Sequence, residues 1–442
     1  MSNKDQRMVN AFDPASAAAL PAREQALVRR RQLSLGAAYR LFYERPVHVA
    51  RAEGVWLYGP DGEAYLDVYN NVASVGHSHP RVVEAIARQA STLNTHTRYL
   101  NDIVVDYAER LLGTLGLDDR QAVFTCTGSE ANDLALRLAW NVSGGRGLIV
   151  SRHAYHGVTA SVAECSPAFG EGVPLGAHVR TVPPPDSYRE GEQAGPRFLR
   201  DVEAAIADLK RHGMQPAALL VDTLFTSDGV YAEPAGCLAR AAEMVRAAGG
   251  LFIADEVQAG FARTGSHFWG FQRHGAAPDI VTMGKPMGNG HPVAGLVARR
   301  DILEAFSRKV RYFNTFGGNP VSCAAGMAVL DVIRDENLQT NAHATGALLK
   351  AGFERLSEKH ALIGDVRGAG FFLGVEMVTD RRLKTPAWVE TARVVNGLRE
   401  RRVLISATGR EGHILKVRPQ LVFQSEHVHL LLDALDEVLS SL

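Results

Sequence analysis

The chain has 442 residues, more than one ordinary domain holds, so two or three domains are expected. Its 46% hydrophobic and 22% charged content is that of a soluble globular protein. Lys+Arg and Asp+Glu balance at 48 each, which removes any global charge argument for nucleic acid or a membrane surface. Apolar runs such as Ala217–Val221 are far too short to span a bilayer.

The N-terminus is polar and lacks the apolar core of a secretory signal. Residues 23–35 are Arg-rich, as in a transit peptide, but Asp5, Asp13 and Glu24 count against targeting. Cys126, Cys165, Cys237 and Cys323 show no metal-type or redox-type spacing. Buried thiols in a reducing compartment are expected, which points to the cytoplasm.

Residues 1–45 read as a leader with one basic amphipathic helix, and 46–69 as short strands joined by a Pro-Asp-Gly turn. From about residue 80 helices (80–92, 102–115, 129–142) alternate with strands (121–126, 147–151, 217–222, 250–255, 279–283, 293–298). That alternation predicts an α/β fold, a mainly parallel sheet covered on both faces. Ligands bind such sheets beyond the carboxyl ends of the strands. Residues 183–200 read as an exposed Pro-rich, charged loop. Beyond 320 a long helical stretch broken near 335–337, a strand at 370–378, a helix at 386–401, a strand at 413–418 and a closing helix suggest a smaller α+β domain.

Two residues at strand ends carry the chemistry. Asp255 closes the apolar run LFIAD, and a buried carboxylate needs a cationic partner. Lys285 follows the apolar run DIVTM and precedes the glycine-rich PMGNGHP; the other lysines, Lys416 included, sit nearly all in polar helical or loop contexts. A partly buried lysine has a lowered pKa and becomes nucleophilic. An amine and an acid so placed can hold pyridoxal phosphate, the lysine through a Schiff base and the acid at the ring nitrogen. Glu256 points the other way on the strand and reads as structural, while Val257 can pack on the ring face. In FTCTGSEANDLALRLAW, Ser129 is a good N-cap, and the amides of Gly128, Ser129 and Glu130 suit an anion. Tyr155 can stack on a pyridine ring, His156 can join the pocket, and Thr315 can donate to a phosphate.

These segments in order (TGSEAN, AYHG, IADEVQAGFARTG, TMGKPMGNGHP, NTFGGNP) resemble the class III pyridoxal-phosphate aminotransferases of fold type I, over about residue 45 to the end. The resemblance implies a large cofactor-binding domain (71–325) and a small domain built from 1–70 and 326–442. It implies a homodimer with active sites at the interface. Gly128 and Ser129 would bind phosphate, Tyr155 stack, Asp255 meet the ring nitrogen, Lys285 carry the Schiff base, and Thr315 reach the neighbouring subunit's cofactor. Arg418 is similar to the family arginine that takes a substrate carboxylate, a task suited to a guanidinium.

Three departures stand out. Thr127 replaces the usual serine, and Gln420 a common second proline. VDTLFTSDG (221–229) replaces a Glu-led, glycine-rich segment, so Asp222 stands for Glu and Asp228 is added. That argues against the dicarboxylate and γ-amino-acid branches. NTHTRYL (94–100) and the glycine-rich loops look closer to alanine–glyoxylate-type aminotransferases and to phospho-lyases of ethanolamine phosphate or phosphohydroxylysine. Transamination between an amine and a keto acid is the leading expectation. Phosphate elimination is the alternative; it needs a dianion site, for which Arg98, His77, His79 and Arg418 are candidates. A non-enzymatic binding protein is disfavoured by the retention of Lys285 and Asp255.

Overall fold

The computed structural model describes Met8 and residues 10–442. Its centre is a seven-stranded sheet in the order Arg120–Thr125, Ala294–Arg299, Ile280–Met283, Leu251–Asp255, Pro216–Asp222, Gly147–Ser151, Val179–Val182. All neighbours pair in parallel except Ala294–Arg299, which runs antiparallel to both strands beside it. The strands are short apolar runs because both faces are covered. Phe252 and Ala254 pack into one hydrophobic cluster with Val202, Leu209 and Val245 from the helices Ala194–Arg211 and Cys237–Ala247. Leu251 and Ile253 pack on the other face against Leu134 and Leu138 of the helix Gly128–Ser143. Each such buried side chain contributes roughly 1.5–3 kcal/mol.

Two smaller sheets flank this layer. Arg51–Glu53, Trp56–Tyr58 and Ala64–Asp67 form an antiparallel meander, and Val403–Leu404 joins its edge in parallel. The N-terminal segment therefore shares a sheet with the C-terminal part of the chain. A third, antiparallel sheet holds Ile363–Ala369, Phe372–Asp380, Ile414–Val417 and Ser406–Thr408. The helix Pro320–Asp335 runs across the expected 325/326 boundary.

Most expected elements lie within two residues of their observed bounds. Val179–Val182 is an additional strand. The expected exposed loop 183–200 is a correction: it turns into the helix Ala194–Arg211, whose Phe198 is buried against Phe225. Pro183, Pro184 and Pro185 precede the helix, and Pro196 sits in its first turn, where a missing N–H removes no intrahelical bond. No helix among the described residues is long and apolar enough to cross a membrane. All four cysteines are free, three of them buried and Cys126 half-buried.

Candidate active site

Parallel pairing brings three strand ends together. Asp222 is the register partner of Asp255, and Asp255 of Thr282. Lys285 follows two residues beyond the strand Ile280–Met283. A cleft of about 100 Å³ opens over these ends, lined by Gly128, Ser129, Tyr155, His156, Asp222, Asp255, Val257, Gln258 and Lys285, among others.

Asp255 is held on three sides. Its Oδ2 accepts from Asn132 Nδ2 at 2.9 Å and from His156 Nδ1 at 2.7 Å, and its Oδ1 from the Val257 amide at 3.1 Å. Asn132 also donates to the His156 carbonyl and accepts from Thr282 Oγ1, both at 2.7 Å. His156 Nε2 is buried with no partner among the described residues. Arg263, buried in the loop beyond this strand, donates to the Pro419 carbonyl. Glu256 faces away as expected, accepting from Thr223 Oγ1 and from the amides of Gly270 and Phe271. Burial pushes its carboxyl up to about 7.

Lys285 is half-buried in the cleft. Desolvation pushes its ammonium below the usual lysine range, and Arg418 pushes it further; Asp255 and Asp222 oppose both. The amine is thereby disposed toward its neutral, nucleophilic form.

The helix above the cleft corrects one expectation. Its N-cap is Thr127, not Ser129: Thr127 Oγ1 accepts from the Glu130 amide, and Glu130 Oε2 accepts from the amides of Cys126 and Thr127. Glu130 three residues after the cap closes this box, which a cap at Ser129 could not do. Its amide is thus consumed, leaving those of Gly128 and Ser129 free for an anion. Ser129 Oγ accepts from the Val158 amide at 3.0 Å, so its proton is available outward. The backbones here are pressed together. A Cβ on Gly128 would lie 3.0 Å from Val257 Cγ2, and one on Gly157, at φ 143°, 2.5 Å from Ser129 Oγ. Tyr155 sits at the mouth, 39% exposed, its ring 5.3 Å from that of Phe169.

Arg418 reaches the cleft floor. Its Nη1 donates to Gln258 Oε1 at 2.5 Å, its guanidinium lies 4.2 Å from the centre of the Tyr69 ring, and its Nε is buried without a partner. Lys416, two residues earlier on the same strand face, was missed in the sequence. It is buried, its Nζ 5.6 Å from the centre of the Phe372 ring. Desolvation, Arg418 and Lys285 push its ammonium well below the usual range, and Asp222 alone opposes them. The alternation in ILKVRP was the available signal.

Four candidates do not join the cleft within this chain. His77 is bound to Asp67 at 2.8 Å and His79 to Glu336 at 3.1 Å. Arg98 is exposed, stacked 3.8 Å above the Phe313 ring, and Thr315 lies on the adjoining exposed loop. Asp228, the added acid, accepts from Ser151 Oγ and the His153 amide; burial pushes it up to about 6.

The parts suit pyridoxal phosphate: free amides at a helix start for a phosphate, a buried carboxylate for a ring nitrogen, an apolar face in Val257 and a desolvated amine. Fold and donor set together define a pyridoxal-phosphate enzyme of fold type I. The chain belongs to the class III aminotransferase family, whose model (Aminotransferase class-III) matches residues 42–439. It is 40% identical over 416 residues to an alanine–glyoxylate aminotransferase 2-like protein of Drosophila melanogaster, covering 90% of this chain and 84% of that one. It is 38% identical over 450 residues to ethanolamine-phosphate phospho-lyase homolog 1 of Caenorhabditis elegans, covering 97% and 96%. A solved phospholyase from Arthrobacter in complex with phosphoethanolamine superposes with a TM-score of 0.91 at 44% identity, covering 94% of this chain and all of that one.

Proposed function

We propose that this enzyme is a phospho-lyase, releasing phosphate and ammonia from a small phosphorylated amine such as ethanolamine phosphate. One observation carries this reading. Lys416 and Arg418 are two buried basic side chains two residues apart, and neither has a carboxylate ion-pair partner among the described residues. A carboxylate needs one cation; a phosphate monoester dianion suits two. The 44% identity to the Arthrobacter phospholyase supports the same choice.

Bound pyridoxal phosphate supplies an aldehyde that takes up the substrate amine and a ring that accepts the electron pair released at Cα. Gly128 and Ser129 hold its phosphate, Val257 and Tyr155 its ring faces, and Asp255 its ring nitrogen. Asn132 and His156 keep the Asp255 carboxylate aimed and anionic. Lys285 would be the point of attachment of the cofactor, and its Nζ would remove the Cα proton. Lys416 and Arg418 hold the phosphate group as its C–O bond breaks. The leaving phosphate departs with the electrons of that bond, and water releases ammonia and an aldehyde. No electrons leave the substrate, so no keto acid is consumed.

The test is the purified yellow enzyme with ethanolamine phosphate and no keto acid. Release of phosphate and ammonia is expected. Conversion to pyridoxamine phosphate without phosphate release would overturn the reading in favour of transamination between an amine and a keto acid. That second reading is favoured by the 40% identity to the Drosophila protein, and Arg418 alone would serve a carboxylate.

We further propose a homodimer. Tyr99, Leu100 and Phe316 are exposed on one surface with Arg98 and Thr315, the segments joined where Thr97 meets Gly318. Across a dimer axis this surface would bring Thr315 to the other subunit's cofactor phosphate and Arg98 to its substrate. Sedimentation as a monomer would refute it. The cytoplasm is the proposed location, on the strength of four unpaired cysteines.

A further inference from the structure

An unbroken chain of hydrogen bonds runs from Asp222 to Arg418, and its direction is set at one end. Asp222 Oδ1 accepts from the Leu224 amide at 3.0 Å and Oδ2 from the Thr226 amide at 3.2 Å. Backbone amides only donate, so both carboxylate oxygens are acceptors. The Thr226 hydroxyl, also on Oδ2, therefore points its proton at Asp222 and turns a lone pair outward. Gln258 fills that lone pair with Nε2 at 2.8 Å. Its other amide atom, Oε1, is left facing Arg418 Nη1 at 2.5 Å and Asn71 Nδ2 at 3.4 Å. Reversing the Gln258 amide would set an NH₂ against the guanidinium, two donors face to face, and its oxygen against the Thr226 lone pair, two acceptors face to face.

We propose that Asp222, acting through Thr226, fixes which end of the Gln258 amide meets Arg418, and so holds the guanidinium in place for the substrate's anionic group. Asp222 and Thr226 act through Gln258, as positioning residues. This rests on the reading that Arg418 takes that anionic group. The neutral amide has a further use. It orients Arg418 without cancelling its charge, as a glutamate at the same place would. The buried Nε of Arg418 remains unpaired and free to donate.

The test uses the holoenzyme and 2-aminoethylphosphonate, which carries the amine and the phosphonate but has no ester oxygen to lose. Its dissociation constant is measured by calorimetry, beside the melting temperature and the cofactor absorbance. Thr226→Val, which removes only the hydroxyl, should weaken binding about tenfold, equivalent to about 1.4 kcal/mol. Thr226→Ser, which keeps the hydroxyl, should stay within about twofold. With ethanolamine phosphate the loss from Thr226→Val should appear in KM and not in kcat. Thr226→Ala serves in its place if the valine variant does not fold. Arg418→Gln separates the two layers of the argument. If it weakens binding while the valine variant binds like the wild type, the relay is wrong and the anion site stands. The relay is equally wrong if the serine variant loses as much as the valine variant. If Arg418→Gln leaves binding unchanged, the anion reading fails and takes the relay with it.

Discussion

Lys416→Met sets substrate binding against stability. Methionine keeps the length of the side chain and removes its charge. In the wild type the ammonium is buried beside Arg418 and Lys285, so desolvation and like charge both destabilise its charged form, with Asp222 as the only opposing group. Replacing such a buried charge by an apolar group of similar volume is neutral or stabilising, by up to about 4 kcal/mol. The phosphate dianion reverses that balance. A hydrogen bond to a charged group contributes about 1.5–3 kcal/mol, so losing it should lower kcat/KM for ethanolamine phosphate roughly 10- to 100-fold. The assay is continuous phosphate release together with thermal unfolding of the holoenzyme. A variant at least as stable as the wild type but much poorer on the phosphorylated amine is the expected result. Activity within about twofold of wild type would refute the placing of substrate phosphate on Lys416.

Three further outcomes follow from the same geometry. Because burial, Arg418 and Lys285 all lower the Lys416 pKa, a bound dianion should raise it and draw in a proton. Binding of 2-aminoethylphosphonate should then show net proton uptake in buffers of different ionisation heat and weaken as pH rises; pH-independent binding would contradict this. Asn132→Ala leaves Asp255, Thr282 and the His156 carbonyl short of a partner in the interior, and should lower unfolding stability by about 3 kcal/mol and speed cofactor loss on dialysis; unchanged urea unfolding would count against it. Lys285→Ala should abolish turnover while the fold, judged by circular dichroism, persists; retained full activity would remove Lys285 from the chemistry.

Asp255 and Lys285 were legible because each interrupts or ends an apolar run, and parallel pairing carries such ends to one edge. Local pattern was a poorer guide where a choice depended on partners. Thr127 and Ser129 are both good caps, and Glu130 decides between them. Asn132 lies in an ordinary helical sequence, and nothing local says that its side chain faces a carboxylate 123 residues away. Period-two alternation in ILKVRP correctly puts Lys416 and Arg418 on one face. It cannot say whether that face meets water or the end of another sheet. Residues 183–200 misled because prolines and charges were read as a loop, although a Pro-rich start is compatible with the helix that follows.

The residues suited to the cofactor and those proposed for the substrate anion belong to different sheets. Gly128, Asp255 and Lys285 stand at the edge of the seven-stranded layer, where a single added Cβ on Gly128 would crowd Val257. Lys416 belongs to the antiparallel sheet, and Arg418 follows directly after its strand. Changes on that second strand can alter what is held at the cleft floor without moving the aldehyde-bearing machinery. If Lys416 and Arg418 hold the substrate anion, few substitutions on that strand would suffice to exchange elimination for transfer.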